Sequence, residues 1–414
     1  MRCDALERRS RLSSRSLDLF KAWFWRPPRP HGETIVDRRV SPLELLYDLV
    51  YAAVIARAAG HLASQVSLAR LVEFAVVFSL TYIAWTNGSL YLELHGRTDG
   101  RTRTFVFLQI GILAVLAVYA GDASGGNGSA FAIAYAAFLA VMTWLWYEVR
   151  REDVHARPEI LADAGRYVIA MAVSVVVILI TAFLPAQPRL AVWAIFAVAW
   201  ILLLELIGRP RGGLSQGVTP TDSLVERFGT FTIIVLGEVV FGVVDGLAHS
   251  PHDFETIATG MIALVIGFGF WWIYFDVVGG KLPKGDGPAI ANWIVSHYPI
   301  TLSIAAAGAG MVSLLSHAHV ARTPAPTSWL LSAAVAVGML GLIITSRALA
   351  DAGAHAPAYR AIGFALAGAA ALSVVAGLVR PAPWLLGLIL VLVLTLVWAV
   401  AVRGFMQAGA WASN

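Results

Sequence analysis

The stretch Ser41-Pro42-Leu43-Glu44-Leu45-Leu46-Tyr47-Asp48-Leu49-Val50-Tyr51 opens an apolar run that continues to residue 64. At 1.5 Å per helical residue such a run is long enough to cross the hydrocarbon of a bilayer. Its first turns nevertheless carry two carboxylates, Glu44 and Asp48. A bare charge in hydrocarbon is expensive, so acids at these positions mark either a function or an ion pair.

The rest of the chain is of the same kind. Of its 414 residues 58% are hydrophobic and only 14% charged, and the mean hydropathy is +0.73. That composition excludes an ordinary soluble domain and predicts an all-α polytopic membrane protein. The net charge of +4 does not point to a nucleic-acid partner, because the basic residues sit in the tail and in short loops between apolar runs, where membrane topology accounts for them. The single cysteine, Cys3, excludes a disulfide framework within the chain and a thiolate metal cluster.

Apolar stretches of about 20 residues predict twelve spans, at 42–64, 70–92, 104–120, 130–149, 166–184, 189–208, 223–246, 255–278, 291–315, 328–347, 360–379 and 383–404. With the N-terminus inside, twenty-four of the thirty Lys and Arg fall in internal segments and four, Arg70, Arg189, Arg322 and Arg380, in external ones. Arg57 and Arg227 are left within spans. This asymmetry predicts both termini on the cytoplasmic side of a plasma membrane. Residues 1–40 form a tail with ten Lys and Arg among Leu19, Phe20, Trp23, Phe24 and Trp25. No apolar stretch in it has the length of a signal-peptide core, so it is expected to be retained. Its composition suits contact with an anionic leaflet, while Pro27, Pro28 and Pro30 fit a disordered tail equally well.

The chain also reads as duplicated, with six-helix halves at 41–209 and 210–414. Ser41-Pro42-Leu43-Glu44 opens span one and Ser223-Leu224-Val225-Glu226 opens span seven. Trp85, Tyr91 and Glu93 in span two are loosely matched by Trp271-Trp272, Tyr274 and Asp276 in span eight. An even number of spans per half keeps the halves in one orientation and places the expected symmetry axis along the membrane normal.

Glu44-Leu45-Leu46-Tyr47-Asp48-Leu49-Val50-Tyr51 together with Glu226-Arg227-Phe228-Gly229-Thr230-Phe231-Thr232-Ile233-Ile234-Val235-Leu236-Gly237-Glu238 resembles the bacterial low temperature requirement A family. The resemblance extends to Trp272-Ile273-Tyr274-Phe275-Asp276 and His297-Tyr298-Pro299, and so covers most of the chain from about residue 36 onward. It implies a multi-pass bacterial membrane protein whose family name reflects growth in the cold, and it supplies neither substrate nor reaction. The family pattern is expected to hold an uncharged polar residue where this chain has Arg57.

Helical rise places the buried charges in two layers. Asp48 lies about 9 Å from the inner start of its span, Arg227 about 5 Å and His297 about 10 Å, with Asp276 near the same level. Glu44, Asp48, Glu226, Arg227, Asp276 and His297 are therefore expected together in the cytoplasmic third of the bilayer. Glu44 and Asp48 share a helix face and need a common counter-ion. Arg227 suits that role, since a guanidinium binds carboxylates as a fork and keeps its charge, and His297 can exchange a proton in the same network. Deeper, at about 21 and 22 Å, Glu238 and Arg57 match in depth and form a candidate cross-half ion pair. Arg227, Glu238 and Asp245 also lie along one face of span seven, as a water-filled path or a polar packing seam would require. Glu93 and Glu205, near span ends, are expected to snorkel to the headgroups, and His61 to sit at the external interface.

Two readings of the inner cluster follow: a static ionic lock between spans one, seven, eight and nine, or a site where a carboxylate crowded by like charge takes up a proton or cation. There is no G-x-x-x-x-G-K, H-E-x-x-H or C-x-x-C, and only three lysines, Lys21, Lys281 and Lys284, none placed mid-span. No metal or cofactor is expected. The leading expectation is a secondary transporter or permease whose partners are the lipid bilayer and a small-molecule or ion substrate. The alternatives are an intramembrane enzyme acting on a lipid-linked substrate, with Asp48 or His297 as general base, and a non-catalytic envelope or stress-adaptation protein. Oligomeric state carries no sequence signal.

Overall fold

The computed structural model describes residues 18, 20, 23, 24, 26–33, 35, 38–153, 156–207, 220–285 and 287–408, with the side chains of 204–207 excepted. Most of the basic tail, including Cys3 and Lys21, the side chain of Glu205 and the expected boundary at 209/210 lie outside this set. Among the described residues the backbone is helical and connecting turn, apart from one isolated bridge between Pro283 and Leu349.

Twelve helices are long and apolar enough to span a membrane. They are α1 (Pro42–Ser64), α2 (Leu68–His95), α3 (Gly100–Tyr119), α4 (Gly128–Glu152), α5 (Pro158–Thr181), α6 (Ala186–Ile207), α7 (Asp222–Ala248), α8 (Phe254–Val277), α9 (Gly287–Leu315), α10 (Ala325–Arg347), α11 (Ala356–Val379) and α12 (Pro383–Gln407). They fall on the twelve expected spans. Several begin earlier than hydropathy suggests, and for two the local reason is plain: Asp99 caps α3 by accepting from the Thr102 amide, and Pro158 sits in the first turn of α5. Polar first turns, invisible to a hydropathy window, are thereby helical.

Caps fix the ends that matter for the site. Ser41 and Glu44 make a reciprocal capping box at the start of α1, with Pro42 in the first turn. Thr221 caps α7 by accepting from the Leu224 amide. In the first half α1 packs on α2 and α3, α3 on α4, α4 on α5, and α6 on α2; in the second α7 packs on α8 and α9, α9 on α10, α10 on α11, and α12 on α8. The halves meet where α1 touches α7 and α9, and where α2 and α6 also touch α9.

That makes α9 the interior helix: 78% of its most apolar window is buried, against 33% for α3. Small residues let it approach its neighbours, since a Cβ on Gly308 would lie 3.0 Å from Val239 Cγ2 and one on Gly310 would lie 3.2 Å from the Leu331 backbone. Pro299 is accommodated within it. Outward faces carry exposed Phe183, Ile195, Phe241, Phe254 and Phe364, an apolar belt far larger than a water-soluble monomer presents and suited to lipid.

Candidate functional site

The first turns of α1 hold both acids of the opening stretch in a packed, fully buried setting. The capping box orients Glu44: its Oε2 accepts from the Ser41 amide at 2.8 Å, leaving Oε1 free to accept from Arg227 Nη1 at 3.2 Å. One turn on, Asp48 Oδ1 accepts from Arg227 Nη2 at 3.1 Å and from Trp85 Nε1 at 2.9 Å. The two arms of one guanidinium thus span an i, i+4 pair of carboxylates, the geometry that a planar fork allows and an ammonium does not. Arg227 and Asp48 are wholly removed from the surface. The guanidinium also lies 5.8 Å from the centre of the Tyr47 ring, adding a cation–π contact.

A second guanidinium extends the network. Arg38, in the segment leading into α1, bridges Glu44 and Glu93. Glu93, at the end of α2, also accepts from Ser223 Oγ at 2.8 Å and from Thr221 Oγ1 at 2.8 Å, both at the start of α7. Glu93 therefore does not snorkel. Because Thr221 and Ser223 begin a capped helix, their hydroxyls point back at the bundle end and reach it first. Three carboxylates and two guanidiniums now tie α1, α2, α7 and the pre-α1 segment together. Two polar atoms of the cluster, Asp48 Oδ2 and Arg227 Nε, have no hydrogen-bond partner among the described residues.

The segment before α1 is anchored further along. Arg29 donates to the carbonyls of Gly96, at 2.8 Å, and of Leu92 and Glu93 at the C-terminal end of α2, where a cation complements the helix dipole. Burial and the nearby Arg38 hold its pKa below the ordinary arginine value. His31 pairs with Asp153 at 2.6 Å, just past α4. Residues 26–33 and 38–40 are thus a strap across one end of the first half.

Of the other expected members, Glu226 faces away. It is exposed, because one residue along a helix is 100° around it and Arg227 takes the inward position. Asp276 belongs to another contact: its Oδ2 accepts from Trp398 Nε1 at 3.0 Å, joining α8 to α12. His297 is buried behind the cluster in an aromatic nest, with ring centres 5.0 Å from Phe228 and 4.4 Å from Trp293. Its Nδ1 lies 2.7 Å from the Trp293 carbonyl and its Nε2 has no partner. Depth along the helices was readable from sequence, whereas lateral position was not.

The pairing of Arg57 with Glu238 does not form. Depths match but faces differ. Arg57 is exposed and turns toward Gly121, where a Cβ would stand 3.6 Å from its guanidinium. Glu238 instead lines a cavity of about 730 Å³ between the C-terminal halves of α1, α7 and α9, with Ala56, Ala59 and Gly60 opposite it and Asp245, Ser64 and Ser316 near the ends of their helices. Glu238 and Asp245 do share a face, as the stripe on span seven requires.

Among the described residues the nearest approach to a metal-ligand set is His61, Glu73 and Asp122, whose ligand atoms lie within 4.8 Å of one another. Arg70 Nη1 stands 3.1 Å from His61 Nδ1. Nε2 faces Glu73 Oε2 at 3.6 Å, so a guanidinium and a carboxylate already stand against the two ring nitrogens.

Sequence reasoning missed Arg38, Trp85, Glu93, Thr221 and Ser223. One signal was present: a basic residue three positions ahead of a capping box whose acid lies at a bundle end.

Residues 39–400 match the family model described as bacterial low temperature requirement A protein (LtrA). That is most of the chain, and the chain belongs to this family. Glu44, Asp48, Trp85, Glu93, Thr221, Ser223 and Arg227 all lie within the matched range, while Arg38 stands one residue before it. A comparison with curated proteins finds no match.

Proposed function

For this multi-pass member of the low temperature requirement A family, we propose a secondary transporter or permease of the bacterial plasma membrane, in which the Glu44, Asp48 and Arg227 cluster gates a path between two six-helix repeats. The observation that carries this reading is the shape of the α1–α7 pair. At their N-terminal ends the helices are clasped by one guanidinium fork; toward their C-terminal ends both line, with α9, a cavity that holds Glu238 and Asp245. A passage closed at one end by ion pairs and open at the other is half of an alternating-access cycle. The recurrence of neighbours supports the repeat: α1 with α2 and α3, and α2 with α6, correspond to α7 with α8 and α9, and α8 with α12. The charge asymmetry of the loops supports a cytoplasmic side for the clasp and both termini. An enzyme on lipid-linked substrates is disfavoured, because Asp48 has no exposed surface from which to reach a headgroup.

The test needs no substrate. Spin labels at the exposed positions Leu46 and Asp222, with Cys3 replaced, report the separation of the clasped ends. Two distance populations are expected in lipid, with the longer one enriched by Arg227→Gln. A single narrow distribution in both proteins would reduce the cluster to a static lock.

A further inference from the structure

We infer that the cavity between α1, α7 and α9 binds a small organic cation, an ammonium or guanidinium compound, with Glu238 meeting its charge; this names the substrate class of the transport path and rests on that reading. The lining contains two carboxylates and no Arg, Lys or His. Of the two, Asp245 stands near the end of α7 and lies 3.5 Å from His249. Glu238 makes no hydrogen bond or ion pair among the described residues. It lies roughly 15 Å by helical rise from the C-terminal end of α7, half-buried in the cavity wall. The one basic side chain at matching depth, Arg57, turns to another face.

Size and wall chemistry narrow the ligand. A volume of about 730 Å³ falls within the range of small-molecule sites, about 300–1,000 Å³. The wall is built from Ala56, Ala59, Gly60, Gly242 and Gly308, and a Cβ added at Gly60 would meet no atom within 4 Å. Such a wall takes up methyl and methylene groups. A bare Ca²⁺ or Mg²⁺ wants about six oxygens, and the cavity offers a single carboxylate at depth, since Asp245 lies roughly 10 Å further along the helix. Softer metals want imidazole or thiolate, and the lining has neither. Phosphate and carboxylate ligands are opposed by the sign of the wall.

The experiment is carbodiimide labelling of the full-length protein in phosphatidylcholine nanodiscs. N,N′-dicyclohexylcarbodiimide adds to a carboxyl in an apolar pocket and rearranges to an N-acylurea with no atom lost, and peptide mapping locates it. Labelling of Glu238 is expected, absent in Glu238→Gln. Tetramethylammonium or guanidinium should slow it saturably, by about fivefold at about four times its dissociation constant, while sodium at equal ionic strength and glucose leave it unchanged. Labelling that no organic cation slows, protection by sodium equal to that by the organic cations, or a Glu238 that never reacts while other carboxyls do, would each overturn the inference. Saturable protection alongside a single spin-label distance would keep the binding site and remove the transport reading; two distances without protection would do the reverse.

Discussion

The two ends of the α1–α7 pair solve the problem of charge in a membrane in opposite ways. At the N-terminal end, Glu44, Asp48 and Glu93 are met by Arg38 and Arg227, by two hydroxyls and by an indole. At the C-terminal end, Glu238 meets no hydrogen-bond or ion-pair partner among the described residues and lines a cavity. The first arrangement removes water and replaces it with fixed partners; the second keeps room for a partner that arrives. Buried polar clusters of the first kind are costly to break from one side only, whereas a partly exposed acid in a cavity contributes little to folding. The difference separates the residues that hold the helices together from those available to a ligand.

Removing one guanidinium should expose this difference most strongly. Arg227→Met leaves Asp48 with the Trp85 indole and no cation, and Glu44 with Arg38, and a buried pair broken from one side costs about 3–5 kcal/mol. The melting transition followed by tryptophan fluorescence in nanodiscs should fall sharply, with loss of inserted protein as the extreme outcome. Glu238→Gln is expected to stay within about 0.5 kcal/mol of the parent. Equal losses for the two would dissolve the distinction, and would mean that Glu238 has a structural partner.

The strap gives the next effect. Arg38→Gln removes charge-assisted bonds to Glu44 and Glu93, each class worth about 1.5–3 kcal/mol, without emptying the core. Faster limited proteolysis within residues 26–40 is the expected result, with the transmembrane helices intact. If cleavage is unchanged, Arg29 and His31 hold the strap by themselves and the Arg38 bridge serves only the clasp.

Much of the first of these regions was legible before any coordinates. Hydropathy located twelve helices, and the i, i+4 spacing of Glu44 and Asp48 demanded a shared cation, which Arg227 is. Most of what failed depends on rotation about a helix axis relative to a neighbour. Glu226, Asp276 and His297 lie near the level of the cluster by helical rise and yet point elsewhere, because rise gives depth to within a turn while a single residue turns the side chain by 100°. Arg57 and Glu238 failed in the same way. Arg38 and Glu93 were missed because both sit where a chain leaves the apolar run, and a window that averages hydropathy reads such residues as solvated. Only the packing of the pre-α1 segment against the end of α2, and of α7 against Glu93, reveals that Glu93 is buried and Arg38 partly so.

Glycine substitutions sharpen the contrast between wall and seam on a smaller scale. A Cβ at Gly60 enters the cavity freely, so Gly60→Ala should gain up to about 1 kcal/mol from the helix backbone. On the opposite side of the same cavity, Gly308→Ala would press a methyl to 3.0 Å from Val239 Cγ2. The seam must open slightly, at a cost of about 1–3 kcal/mol. Melting temperatures of the two variants should therefore move in opposite directions, and a Gly60→Ala loss would show that the cavity closes on itself.

The smallest effect concerns a further cation, a lysine built into its site differently from the arginines of the clasp. Lys281, in the turn between α8 and α9, donates to the carbonyls of Asp276 at 3.1 Å and Val277 at 3.2 Å and to Tyr359 Oη at 3.0 Å, beneath the Phe405 ring. Burial holds its pKa below the ordinary lysine value, and Asp351 and Asp276 oppose the shift. From that lowered value up to about 10.4, the unfolded chain binds more protons at this site than the folded one. Stability should therefore rise gently as pH increases through this window and be flat in this group below it. Lys281→Met should remove that slope without touching the arginine clasp, since a guanidinium keeps its charge over the same range. An unaltered slope in the variant would assign the alkaline dependence to another group, and a loss of stability at neutral pH would show that the capped carbonyls, not the charge, are what Lys281 secures.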